Sequence, residues 1–239
     1  MQQMQPPQQL QASKPQQQQQ HAQQQSTQQG RSQGTNAMDF TCRTQDYWRA
    51  QVQEWKLQAL AGNAIAAQNV GVALYKGELG IPRDEAEACR YFRMASRAGL
   101  STSMFNLGWA YASGSGVPQN WAKAVSWWKR AASHGHGSAA RNLGLLYALG
   151  IAPGPDGVAR VDPEQAAYWY HEAAAIGNHK AMSALANCYA HGIGVPKDLN
   201  LAQVWQAKAA AAAAAAQAAA SGESSEINAN ADASEIRPT

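Results

Sequence analysis

The sequence predicts an all-α solenoid, a line of helix-turn-helix units with no single central core. Three observations carry this. Glycines 62, 99, 135 and 177 open similar stretches, separated by 37, 36 and 42 residues. Within each stretch, small and apolar residues recur at steps of three and four in two successive runs, the period of a helix with one buried face. Between the runs lie a glycine, usually a proline, and then an Asp or Asn, which stop one helix and start the next.

The elements follow in chain order. Residues 1–38 are dominated by Gln with almost no large apolar side chains; burial cannot offset their ordering entropy, so a disordered arm is expected. Residues 39–61 hold an amphipathic run with Trp48 and Trp55, read as a solitary helix capping the stack. Four units are then expected at 62–98, 99–134, 135–176 and 177–213.

The first helices carry Ala66, Val70, Gly71 and Leu74; Ser103, Leu107, Gly108 and Tyr111; Ala139, Leu143, Gly144 and Tyr147; and Ala181, Leu185, Ala186 and Tyr189. Steps of four, one and three put each set on one face, where the small residue lets a second helix approach closely. Gly77, Gly114 and Gly192 stand where a helix end needs the left-handed conformation. Asp84, Asn120, Asp162 and Asp198 are placed as N-caps of the second helices.

The second helices repeat Ala88, Tyr91, Ala95; Ala124, Trp127, Ala131; Ala166, Trp169, Ala173; and Ala202, Trp205, Ala209. On this register Trp127 and Trp169 belong to the core, while Trp128 and Trp121 are left for exposed contacts. The Ala-rich stretch 207–220 has very high helix propensity and extends the last helix. Residues 221–239 open on Ser-Gly, are polar and slightly acidic, and read as a tail.

Composition narrows the function. Hydrophobic residues make up 45% and charged residues only 15%, against about 25% in an average protein; the deficit comes from the Gln-rich and Ala-rich segments. A net charge of +3 and a pI of about 8.8 are too weak and dispersed to argue for nucleic acid. Three distant cysteines, Cys42, Cys89 and Cys188, form no CxxC pair, which favours a reducing compartment. No signal-peptide core or membrane-spanning run occurs, and the Arg-poor N-terminus fits a mitochondrial leader badly, so a cytoplasmic location is expected.

The pattern A-x-x-x-L-G-x-x-Y-x-x-G-x-G-V-x-x-D-x-x-x-A-x-x-W-x-x-x-A-A closely resembles the Sel-1-like repeat family, relatives of tetratricopeptide repeats, over residues 62 to about 213. Departures are Leu74 in place of Tyr, Ala186 in place of Gly, and GIAPGPDGVARVD in place of the short third turn, which predicts a protruding loop. The resemblance implies a right-handed solenoid whose first helices line a concave wall. It also implies a non-catalytic adaptor or scaffold for other proteins, bound through extended segments, with no cofactor and no membrane insertion.

In tetratricopeptide repeats an Asn just before the branched apolar residue points into the groove. Here that position holds Asn69, Asn106 and Asn142, with Ala184 in the fourth unit. Helical neighbours extend the stripe to Lys76, Trp109, Arg141, Lys180, Asn187 and His191. The implied site is a peptide groove with Asn as backbone clamp and cations reading acidic side chains; the alternative is that the Asn bonds a neighbouring helix.

Other features point less sharply. Arg83, Arg90, Arg93 and Arg97 form a basic stripe on the first unit's second helix, read as a solvated face supported by Asp84 and Glu87. His134 and His136 form an H-x-H at a turn that lacks the remaining ligands of a zinc site and read as surface residues. Alternatives to the adaptor are a hydrolase-like or cofactor-binding solenoid, and a fixed subunit of a large assembly such as an organellar one. The first is weakened by the absence of the paired cysteines of secreted family members, of a P-loop and of a nucleophile elbow.

Overall fold

A computed structural model describes residues 45–154 and 157–222. The expected arm at 1–38 and the tail beyond Gly222 lie outside them. Two compact units divide at Trp48 and Arg49. The described part of the first, residues 45–48, is a helical turn in which the Tyr47 and Trp48 rings meet edge to face at 5.4 Å.

The second unit is all helical apart from one isolated bridge, among the described residues. Its elements are α1 (49–60), α2 (Ala64–Lys76), α3 (Glu85–Arg97), α4 (Ser101–Ser113), α5 (Trp121–Ser133), α6 (Gly137–Ala148), α7 (Pro163–Ala175), α8 (His179–His191) and α9 (Leu199–Gly222). Each helix packs on its neighbours in the chain, most extensively within the pairs α2/α3, α4/α5, α6/α7 and α8/α9. The solenoid expected from the repeat is therefore present.

Local chemistry sets the boundaries. Asp84, Asn120 and Asp162 each accept a backbone N–H three residues on, at 2.8 to 2.9 Å, and Asp198 accepts from Asn200 and Leu201. The same four residues donate their own N–H back to the carbonyls of Leu74, Tyr111, Tyr147 and Tyr189, at 2.8 to 3.0 Å. Every turn is thus closed across its base, including the third, which holds six extra residues. In that longer turn Pro153 and Ala159 form the antiparallel bridge, and Ala152 is buried.

Gly116 and Gly194 have φ of +72° and +69°, and their turns lie against the backbone starting α3 and α7 respectively. A Cβ at Gly116 would run into Glu85 and one at Gly194 into Pro163, so both the conformation and the contact require glycine. These contacts also put the N-terminal ends of the second helices along one edge of the stack.

Each of the first three units buries a wide arc of its second helix rather than a narrow stripe, because that helix is covered by its own first helix and by the next unit. The ring against the first helix is not the one expected. Phe92, Trp128 and Tyr170, one residue beyond Tyr91, Trp127 and Trp169, lie directly on Gly71, Gly108 and Gly144. An added Cβ at Gly71 would meet Phe92 at 2.6 Å, and one at Gly144 would meet Tyr170 at 2.6 Å. Trp128 is fully buried and its Nε1 donates to the Phe105 carbonyl at 3.1 Å. The expectation that Trp128 is exposed is therefore corrected, while Trp121, Trp127 and Trp169 are half-buried.

The edges of the stack carry polar residues at these repeat positions. In α9 the counterparts of Cys89 and Phe92 are Gln203 and Gln206, both exposed. In α1 the counterparts of Ala88, Tyr91 and Ala95 are Gln51, Glu54 and Gln58, and Gln58 donates to Glu54 at 3.1 Å. Polar end faces keep a repeat array from stacking further.

Candidate protein-binding face

The candidate residues lie on the first helices α2, α4, α6 and α8. Asn69, Asn106 and Asn142 occupy one repeat position on α2, α4 and α6. Adjacent first helices touch: Ser103 Oγ donates to Gln68 Oε1 at 3.2 Å between α2 and α4, and Phe105 of α4 stacks on His136 before α6 at 4.5 Å. One position further round, Val72, Trp109 and Leu145 are each half-buried and form an apolar row.

The three asparagines are not equivalent. Asn69 and Asn106 are half-buried, and among the described residues neither amide makes a hydrogen bond. Asn142 is 1% exposed and its Nδ2 has no partner, so a ligand reaches it only if its cover moves. A buried donor left unpaired is costly, about 1–3 kcal/mol.

The remaining candidates spread over four helices. Trp109 packs on the core of α4 to α8. Arg141 is half-buried and close enough to Tyr170 to act on its phenol, which burial pushes up to about 12 while Cys188 adds to the rise and Arg141 opposes it. Lys180 is exposed in the first turn of α8, and His191 is exposed at its end. Lys76 forms an ion pair with Glu78 at 3.5 Å.

Asn187 is exposed on α8 and borders two grooves. One, of about 180 Å³, is lined by Tyr170, Cys188 and Ile193; the other, of about 380 Å³, by Ala186, Ala190, Gln203 and Gln206. The second opens where the fourth unit carries Gln206 instead of a ring.

His136 has a role the sequence reading missed. Its Nδ1 accepts the Ala139 N–H at 3.2 Å as the N-cap of α6, and burial holds its pKa below the ordinary range. Only the neutral imidazole has a lone pair for this bond. The expectation of a surface histidine is corrected for His136, whereas His134 is exposed at the end of α5. No group of three or more His, Cys, Asp or Glu able to hold a metal is found among the described residues.

Fold and surface together define a helical-repeat solenoid with an open face on its first helices. A family model for the Sel1 repeat matches four times, at residues 64–100, 101–136, 137–178 and 179–213, and the chain belongs to this family. Its members generally mediate protein–protein contacts and are typically non-catalytic. No helix among the described residues is long and apolar enough to cross a membrane.

Two similar solved structures are Sel1 repeat proteins. One is c5321, a protective antigen of uropathogenic Escherichia coli strains displaying an SLR fold, 32% identical with a TM-score of 0.62 over 67% of this chain and 33% of that one. The other is a Sel1 repeat protein from Oxalobacter formigenes, 30% identical with a TM-score of 0.58 over 67% of this chain and 61% of that one. The chain therefore spans a third of the first and about three fifths of the second. No curated protein matches it.

Proposed function

We propose that the protein is a non-catalytic scaffold that binds a protein partner through the open face of its first helices. The partner contributes an extended segment. Asn69 and Asn106 pair with its backbone through their amides, and Val72, Trp109 and Leu145 receive its apolar side chains. One observation carries this reading: both asparagines hold free amides beside an apolar row, whereas a purely structural Asn would bond a neighbouring helix. Lys180 and His191 extend the face toward acidic residues of the segment.

Asn142 takes part only as a buried neighbour of this row. A cytoplasmic setting goes with the reading, since the thiols of Cys89 and Cys188 are free and buried on separate units; a fluorescent fusion of the full chain tests it.

The binding test is affinity capture with the full chain, mass spectrometry of what is retained, and repetition with Asn69→Ala/Asn106→Ala. The expected result is a stoichiometric protein partner that the variant loses while its unfolding midpoint is unchanged. A partner retained equally by the folded variant rejects the asparagine clamp. If no protein is retained at stoichiometric level, the scaffold reading fails.

A further inference from the structure

The outer face of the first two units carries cations without carboxylates. Arg90, Arg93 and Arg97 lie on α3, and Lys123, Lys129 and Arg130 on α5; all but the half-buried Arg93 are exposed. Of the four stripe arginines only Arg83 has a carboxylate, Glu85, and the two acids expected to support the stripe, Asp84 and Glu87, are engaged elsewhere. Asp84 caps α3, Glu85 pairs with Arg83, and Glu87 pairs with Lys56 of α1 at 3.5 Å.

On α5 the cations rest only on rings. Lys129 lies 5.7 Å from the Tyr147 centroid, Lys123 lies 5.3 Å from that of Tyr111, and Arg130 lies 4.5 Å from that of Trp127. None of these six makes an ion pair among the described residues. One repeat position is basic in four successive outer helices, as Lys56, Arg93, Lys129 and His171. The helix dipole favours cations near helix C-termini, which fits Arg97 and Arg130 in the last turns of α3 and α5 but not Lys123 in the first turn of α5, and it does not explain why their carboxylate partners are missing.

A counter-charge exists in the same chain. Residues 223–239 contain Glu223, Glu226, Asp232 and Glu235 against the single base Arg237. They follow α9, which has 24 residues where α3, α5 and α7 have 13. The extra 11 residues carry its end about 16 Å further along its axis. Because the second helices start along a common edge, α9 ends beyond the edge where Arg97 and Arg130 stand.

Returning from Gly222 to the ends of α5 means covering that overhang and about 20 Å across two helices. The 13 residues to Glu235 span at most about 45 Å when extended. Asp232 and Glu235 therefore reach Lys129 and Arg130 on α5, and Glu235 also reaches Arg97 at the end of α3, one helix further, whereas Glu223 reaches none of them.

We propose that the cationic strip formed by Arg93, Arg97, Lys129 and Arg130 is the docking surface for the chain's own acidic C-terminal segment, with Asp232 and Glu235 as the pairing carboxylates. The docked segment covers the outer face of the first two units and leaves the first-helix face open. It is held by several exposed pairs, each weak and screened by salt, so an acidic competitor or raised ionic strength releases it.

Zero-length carbodiimide coupling of the full chain at low protein concentration, read by peptide mass spectrometry, tests this. The expected result is an amide between Lys129 and Asp232 or Glu235 within the monomer. Its yield should fall at least about fivefold at about 0.5 M salt and equally in Arg97→Glu/Arg130→Glu. Both side chains are exposed but stand in the last turns of α3 and α5, and Arg130 lies over Trp127, so circular dichroism should show that variant fully folded at the coupling temperature, with a midpoint lowered by only a few degrees.

Links from the segment only to Lys180, Lys197 or Lys208 overturn the proposal. So does a Lys129 link that the charge reversal leaves unchanged, and so does a link confined to covalent dimers, which assigns the segment to a second copy.

Discussion

In the first three units a glycine of the first helix lies beneath an aromatic ring of the second, whereas in the fourth Ala186 stands at the glycine position and Gln206 at the ring position. The two substitutions occur together. Glycine in a helix interior costs about 1 kcal/mol relative to alanine, and it is kept only where a ring occupies the space of a Cβ. Where the ring is gone, alanine returns and a groove opens beside it. The difference shows that these glycines serve contact, and that the fourth unit is built as an end.

Removing a ring from an interior unit should have the largest effect. Trp128→Ala deletes the fully buried indole and its hydrogen bond to the Phe105 carbonyl; a loss of about 3–5 kcal/mol is expected in denaturant titration. A midpoint shift worth under about 1 kcal/mol would show that the ring does not hold α4 to α5.

Gly108→Ala comes next. Its gain in helix propensity is outweighed by the collision with Trp128, for a net loss of about 1–3 kcal/mol. In a Trp128→Gln background, which copies the fourth unit, the same change should be neutral or stabilising. A double-mutant cycle without coupling would separate the glycine from the ring.

The starts of the third and fourth units also differ, since α6 is capped by His136 and α8 by Asn178. Burial lowers the folded pKa of His136 below its ordinary 6.5, so the unfolded chain takes up the proton first. Stability from this cap is complete above the ordinary value and is lost as pH falls through the lower folded one. Stability should therefore fall as the pH is lowered below about 6.5. His136→Asn should remove that part of the pH dependence; an unchanged pH profile would exclude the histidine as its source.

The smallest effect belongs to the fourth unit. Ala186→Gly removes no ring contact and should cost only its helix propensity, about 0.8 kcal/mol. A much larger loss would mean that Ala186 holds α8 to α9 as tightly as the ring-bearing units are held.

Much of the fold was legible because its signals are local. The turn glycines, the Asp and Asn caps and the spacing of small residues in the first helices each act within a few positions of themselves. The ring register was not legible. Pairs such as Tyr91-Phe92 and Trp127-Trp128 fit helical spacing at either position, and only the covering of the second helix from two sides decides which ring meets the glycine. His136 was overlooked because an imidazole caps a helix only when a buried setting keeps it neutral. On the candidate face, sequence placed Asn69, Asn106 and Asn142 at one repeat position, but the burial of Asn142 depends on the neighbouring unit and has no local signature.

The hydrogen bond from Asp162 to the Tyr147 carbonyl closes the third turn as tightly as its shorter counterparts are closed. The repeat therefore pinches off whatever lies between those two residues, and its helices register the same spacing at any loop length. Such a site is a port for variation. Sequence can be added, exchanged or displayed between Ala152 and Arg160 without renegotiating the stack, and this chain already uses it for the hairpin-like excursion that its other turns lack.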